Sequence, residues 1–134
     1  MEERVRIRSF SDLEVFQRSY KASIVVNTQV VPSLPEEERY DLKDQLRRSS
    51  KAVPRLIAEG FAKKNQKRAF QKYLEDALCE VNESIVSLNH AKDLYPKSVD
   101  VALCEKLIDE YDQIGKMIYR LSEVWTGFSR KSRP

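Results

Sequence analysis

Apolar residues recur every three or four positions along four stretches of this chain, which is the spacing of one buried helix face. We predict helices over about residues 11–31, 35–62, 65–94 and 98–126. The connections between them are short, so neighbouring helices are expected to run antiparallel. The pattern predicts a single all-α domain over residues 1–134, an antiparallel up-down-up-down four-helix bundle. The clearest stripe comprises Phe70, Leu74, Ala77, Leu78, Val81, Ile85 and Leu88.

Residues that stabilise helix ends define the predicted boundaries. Pro54 lies inside the second helix, where its missing N–H predicts a kink near Ser50. The polar, basic tail over residues 129–134 is predicted to be disordered. The residues expected to cap helices are, in chain order, Ser11 with Glu14, Ser33 with Glu36, Asn65 and Ser98.

The first helix has more apolar surface than one core can cover. Ile24, Val25 and Val26 are consecutive, so they span most of the helix circumference, and Val30 and Val31 follow them. This excess predicts that the protein forms a homo-oligomer. The alternative is a scatter of exposed apolar residues, which monomers also have.

The composition supports an α-helical protein and suggests where it is found. Only three glycines and five prolines occur in 134 residues, too few for the turns of a many-stranded β fold. No stretch has the roughly 18 uncharged apolar residues that cross a bilayer, and five of the first eight residues are charged, so we expect a cytoplasmic protein without membrane contact. Cys79 and Cys104 are expected to be unpaired small residues of the core or surface.

The charges are divided along the chain. Residues 39–72 contain eleven bases and three acids, a net charge of +8, whereas residues 73–112 contain three bases and ten acids, a net charge of −7. We expect one basic face, which would bind the backbone of RNA or DNA without reading its sequence. The alternatives are docking of an acidic protein, pairing with this protein's own acidic helices, or simple solvation. The candidate nucleic-acid-binding residues are Arg47, Arg48, Lys51, Arg55, Lys63, Lys64, Lys67 and Arg68.

No catalytic, metal or cofactor site is predicted. A di-metal site in a four-helix bundle needs two Glu-x-x-His pairs, but the chain has one histidine, His90, with Ser87 three residues before it. His90 is expected near a helix end, where it favours the helix dipole. Glu59 is either partly buried and paired with an arginine across a subunit boundary, or an exposed acid at a helix end. The acids expected on a solvated or partner-facing side of the third helix are Glu75, Asp76, Glu80 and Glu83.

The chain resembles the four-helix-bundle proteins encoded in 23S rRNA intervening sequences, over roughly residues 10–125. The block from Gln45 to Gly60 is the most specific part of the resemblance. The matching segments are Phe10–Gln17, Glu38–Leu42, Gln45–Ser49, Val53–Pro54, Ile57–Gly60 and Phe70–Leu74, followed by Ala77.

This resemblance carries its own expectations. The family is similar to the accessory variability determinant proteins of diversity-generating retroelements, which form positively charged, barrel-shaped pentamers and act with nucleic acid and a reverse transcriptase. The resemblance therefore implies a homopentamer, contact with nucleic acid and a protein partner such as a reverse transcriptase. For most members of the family no biochemical activity is established, and the lack of a catalytic constellation in the sequence leads us to expect no enzymatic activity and no cofactor.

Overall fold

A computed structural model describes residues 7–131, and the side chains as far as residue 124. It has four long helices and, within the described residues, no strand. We number the helices α1 (Glu14–Val25), α2 (Leu42–Ala62), α3 (Lys67–Leu94) and α4 (Val101–Lys131). The predicted all-α class and the four-helix composition are confirmed. No helix within the described residues is long and apolar enough to span a membrane.

The helices pack around one apolar core. α2 packs against α3, α3 packs against α4, and α1 contacts both α2 and α4. Apolar side chains from all four helices meet between them, because each helix buries the face marked by its apolar spacing. The largest fully buried side chains are those of Val26, Val30, Leu46, Val53, Ile57, Leu74, Val81, Leu88, Cys104, Tyr111, Ile114 and Ile118.

Side-chain contacts give the relative directions of α2 and α3. The buried hydroxyls of Ser49 and Ser84 are hydrogen-bonded at 2.8 Å. The last turn of α2 lies close to the beginning of α3, where a Cβ added to Gly60 would lie 2.9 Å from Tyr73 Cβ. Moving forward along α2 therefore means moving backward along α3. Gly60 permits this close approach because it has no side chain.

α1 and α4 also run in opposite directions. Arg18 donates hydrogen bonds to the Glu110 carboxylate, and Val15 and Leu121 line one groove between the two helices. Residues nearer the start of α1 thus lie beside residues nearer the end of α4. The complete up-down-up-down order of the four helices stays a prediction.

All four helices begin later than predicted, and the second helix shows the largest difference. α2 begins at Leu42 rather than residue 35, because Pro35 is extended and only one 3-10 turn, Glu36–Glu38, follows it. Ser33 does not cap α2, since its hydroxyl donates to the carbonyl of Val30. Instead, the Glu38 carboxylate accepts the backbone N–H of Leu42 at 3.2 Å.

The first helix also begins later than predicted. Leu13 is extended, so α1 begins at Glu14, after a separate 3-10 turn over Phe10–Asp12. The Asp12 carboxylate accepts the backbone N–H groups of Arg8 and Ser9 at 2.8 and 3.1 Å. These hydrogen bonds lower the pKa of Asp12. Ser11 is therefore not the capping residue.

Smaller corrections apply to the last two helices. α3 begins at Lys67 with Gln66 as its N-cap residue, so Asn65 lies in the preceding turn. α4 begins at Val101, because the Asp100 carboxylate, rather than Ser98, accepts the N–H of Leu103 at 3.0 Å. α4 continues to residue 131, residues 132–134 lie outside the described part, and the disorder of the tail stays a prediction.

The apolar excess on the first helix is smaller than predicted. After α1, the chain forms a π-helical turn over residues 26–30, closed by a hydrogen bond from the Val31 N–H to the Val26 carbonyl. Hydrogen bonds of this kind join residues five apart, so Val26, Val30 and Val31 all turn inward. The prediction that Val30 and Val31 extend an uncovered surface is wrong, while Ile24 remains 48% exposed.

Two further predictions have different outcomes. Cys104 is buried and Cys79 is exposed, and both are free thiols, as predicted. α2 continues through Pro54 as one helix, and the predicted kink near Ser50 stays a prediction. The Ser50 hydroxyl donates to the Leu46 carbonyl and accepts a hydrogen bond from Asn27, which links α2 to the π-helical turn.

Candidate nucleic-acid interface

Four of the predicted cations lie together where α2 ends and α3 begins. Gly60 and Phe61 accept the N–H groups of Lys63 and Lys64, which ends α2 in a tight turn. The Lys64 ammonium lies 4.5 Å from the centre of the Phe61 ring, a cation–π distance. We call this cluster the basic turn, and it comprises Lys63, Lys64, Lys67 and Arg68.

No member of the basic turn forms an ion pair with any residue in the described part of the chain. Lys63 and Arg68 are exposed, and Lys64 and Lys67 are half-buried. Lys72, one helical turn beyond, differs because its ammonium bonds to Asp76 at 2.8 Å. The four cations are therefore concentrated at one end of the helical pair, and no acid among the described residues lies within ion-pair distance of them.

The remaining predicted cations lie on α2, and most of them have acidic neighbours. The Arg48 side chain pairs with Asp44 at 3.1 Å, and Arg47 approaches the same carboxylate at 3.9 Å. Arg47 also donates to the backbone carbonyl of Arg39 at 3.3 Å, so it is held towards the start of α2. Lys51 is exposed and has no ion pair within the described residues.

Glu59 is paired within its own helix. Its carboxylate lies 3.8 Å from the Arg55 guanidinium one turn earlier, and its side chain is 43% exposed. This position matches an exposed acid near the end of α2 more closely than a buried one. The predicted pairing across a subunit boundary stays a prediction.

Two acids of α3 face the α2 cations. A groove of about 340 Å³ between α2 and α3 is lined by Arg48, Lys51 and Arg55 on one side and by Glu80 and Glu83 on the other. Burial raises the pKa of Glu80, the neighbouring Glu83 carboxylate raises it further, and Arg55 and Arg48 act in the opposite direction. We call this feature the charged groove.

The charged groove was missed by sequence reasoning. Glu80 and Glu83 were expected on a solvated or partner-facing side, together with Glu75 and Asp76. Glu75 is exposed and Asp76 bonds to Lys72, but Glu80 is turned towards α2. The rotation of α3 about its axis decides which of its acids face α2. The spacing of Glu80 and Glu83, three residues apart, shows only that these two share one face of the helix.

Among the described residues there is no group of three or more histidine, cysteine or acidic side chains that could hold a metal ion. His90 is exposed and lies four residues before the end of α3. One buried polar group has no apparent role, because the Tyr111 hydroxyl is enclosed in the core without a hydrogen-bond partner. Its burial raises the pKa of the Tyr111 phenol.

The fold and the basic turn describe a small helical protein with an exposed cationic end. Residues 11–120 match the family model of the 23S rRNA-intervening sequence protein. Because this match covers most of the chain, the protein belongs to that family. No curated protein and no solved structure matches the chain.

Proposed function

We propose that this protein is a non-enzymatic, self-associating helical bundle that binds the phosphate backbone of RNA or DNA through its basic turn and the adjoining α2 cations. The single observation that carries the proposal is the basic turn, where four cations lie within six residues and have no acidic partner in the described chain. Like charges this close repel one another, and phosphates relieve that repulsion.

Binding of this kind is sequence-independent. The described residues near the basic turn form no stack of aromatic rings on which bases could lie, and the one aromatic ring beneath Lys64 is that of the buried Phe61. Contacts with phosphate position a protein without reading bases. We therefore expect similar affinities for RNA and DNA of unrelated sequence.

A salt titration tests the proposal. Labelled RNA and labelled duplex DNA are titrated with the full chain at about 50 and 200 mM salt. If about four phosphates are contacted, the affinity should fall roughly a hundredfold between the two conditions. Absence of binding at the lower salt would refute the proposal.

A charge-reversal variant locates the binding surface. Lys63→Glu combined with Arg68→Glu should weaken binding at least tenfold and reduce the slope of log affinity against log salt by about 2. The matched control, Lys97→Glu with Lys106→Glu, makes the same change in net charge at exposed lysines elsewhere. Equal weakening in both variants would mean that only net charge matters and that the basic turn is not the site.

Self-association is the second part of the proposal. Tyr20 and Ile24 lie one turn apart on α1 and are 52% and 48% exposed, which supports a contact between copies on that side. The family resemblance favours a pentamer. Sedimentation of the wild type should give a multimer, and Ile24→Glu should lower its mass, whereas Lys21→Glu on the same helix should not. A monomeric wild type would contradict this part.

An acidic protein is the competing partner for the same surface, and the resemblance suggests a reverse transcriptase as one protein partner. A pull-down from nuclease-treated extract separates the two possibilities. Recovery of one partner that is lost with the charge-reversal variant and kept with its control would favour protein docking if the salt titration shows no nucleic-acid binding.

A further inference from the structure

The charged groove between α2 and α3 contains opposite charges that are close without being paired. Arg48 and Arg55 form their ion pairs with acids of α2 itself. No nitrogen of these arginines or of Lys51 lies within 4.0 Å of a carboxylate oxygen of Glu80 or Glu83. The groove volume of about 340 Å³ is roughly ten times the volume of a water molecule. The two sets of charges therefore face one another across space that a phosphate group can enter.

We propose that Glu80 and Glu83 compete with phosphate for the α2 cations and so make the α2 part of the nucleic-acid surface weaker than the basic turn. This inference rests on the proposed function and specifies how its binding surface is limited. Three cations face two carboxylates, so the groove has a net charge of only +1. Without the carboxylates the lining side chains have a net charge of +3, offset in part by Asp44 and Glu59, which pair with Arg48 and Arg55, and the cationic surface extends from the basic turn along α2.

The carboxylates can compete with phosphate because they are already held in the groove beside the cations. A carboxylate and a phosphate oxygen are both anionic acceptors for guanidinium and ammonium groups. Glu80 is held in place by its helix and half-buried, whereas a phosphate must lose freedom of movement and part of its hydration to enter the same groove. The carboxylates therefore lower the affinity of the groove for phosphate without forming ion pairs of their own.

Protonation of Glu80 makes the competition between the carboxylates and phosphate depend on pH. α2 and α3 alone line the groove, and the charged groups that face Glu80 there are Glu83, Arg48, Lys51 and Arg55. Burial raises the pKa of Glu80, followed by the effect of Glu83. As the pH falls towards this raised pKa, Glu80 becomes neutral and the groove more positive. Binding to phosphate should then strengthen.

The test replaces both carboxylates by isosteric amides. Glu80→Gln with Glu83→Gln should bind labelled RNA about tenfold more tightly than the wild type at about 50 mM salt, and two added phosphates should steepen the salt slope by about 2. The matched control, Glu105→Gln with Asp109→Asn, removes two exposed acids of α4. Circular dichroism and thermal unfolding check that each variant is folded.

A third variant shows which cations are responsible for the gain. Adding Arg48→Gln and Arg55→Gln to the double glutamine variant should abolish most of the gained affinity. In the wild type, lowering the pH should strengthen binding more than it does in the Glu80→Gln, Glu83→Gln variant. The single Glu83→Gln variant, at an exposed position, should show a smaller gain in the same direction.

The outcomes separate this inference from the proposed function. If the wild type binds RNA but the amide variant binds no more tightly than its control, the competition is refuted and the proposed function stands. If the wild type does not bind at about 50 mM salt but the amide variant does, the competition is supported and the proposed function of the unmodified chain is wrong. If neither binds, both are wrong.

Discussion

Two glycines inside helices give a paired prediction with opposite signs. Replacing a helical glycine by alanine normally stabilises a protein by about 1 kcal/mol, because the backbone loses less freedom on folding. Gly115→Ala in α4 should do so, since its added Cβ would lie 3.5 Å from Val81 Cγ1 and 3.8 Å from Leu78 Cδ2, which are ordinary contacts. We expect the free energy of unfolding to rise by about 1 kcal/mol.

Gly60→Ala should have the opposite effect. Its added Cβ would lie 2.9 Å from Tyr73 Cβ, whereas carbon atoms prefer separations of about 3.5–4.0 Å. Tyr73 Cβ is bonded directly to the α3 backbone, so no side-chain rotation relieves the overlap and the two helices must separate. Overpacking of this kind costs about 1–3 kcal/mol, which exceeds the gain of about 1 kcal/mol from the backbone. We expect a net destabilisation of about 1 kcal/mol.

Urea unfolding followed by circular dichroism measures both variants, at one protein concentration because self-association shifts apparent stability. The predicted difference between Gly115→Ala and Gly60→Ala is about 2 kcal/mol. If Gly60→Ala is as stable as Gly115→Ala, the close approach of α2 and α3 at Gly60 is incorrect.

Three smaller predictions concern buried or paired hydroxyls. Tyr111→Phe should raise the free energy of unfolding by about 1 kcal/mol in the same assay, because the hydroxyl it removes is buried without a partner. Ser84→Ala should cost about 1–2 kcal/mol by leaving the Ser49 hydroxyl unpaired, while changing both serines to alanine should cost less. The Tyr95 phenol donates to Glu38, which raises the pKa of Tyr95 to about 12, so the stability this bond adds should be lost as the pH rises from about 10 to about 12. Spectrophotometric titration of Glu38→Gln should show this tyrosine ionising at lower pH.

The sequence predicted the helices well and their first residues poorly. Apolar spacing is a property of each whole helix, so it survives errors at the ends. A cap, by contrast, depends on which of several nearby polar side chains reaches the free N–H groups. Ser33 and Glu38 could both serve α2, and Ser98 and Asp100 could both serve α4, and in each case the later residue does. The local sequence contains both options and does not rank them.

The π-helical turn could not be predicted from the apolar pattern. Val25, Val26, Val30 and Val31 look like an excess on a regular helix, because a regular helix turns some of them outward. One turn with a longer hydrogen bond changes which residues face the core. Ile24, which precedes this turn, remains exposed as the regular pattern requires.

The candidate interface was predicted in part. Counting charges identified the basic residues, and the structure places Lys63 and Arg68 in a cluster without acidic partners. Counting could not show that Glu80 and Glu83 face Arg55, because that depends on how α3 is rotated against α2. The sum of charges over residues 39–72 therefore overstates how positive the α2 surface is.

The hydrogen bond between Tyr95 and Glu38 joins two connections at the end of α3 opposite the basic turn. α3 has 28 residues, which corresponds to a length of about 42 Å. The segment from Glu36 to Lys43 at this joined end has four acids and two cations, and both cations pair with Glu36. The excess of acids at this end and of cations at the basic turn forms an electric dipole along α3. The field of a polyanion exerts a torque on this dipole and turns the cationic end towards the polyanion before contact. At physiological salt this torque is screened when the two are more than about 8 Å apart.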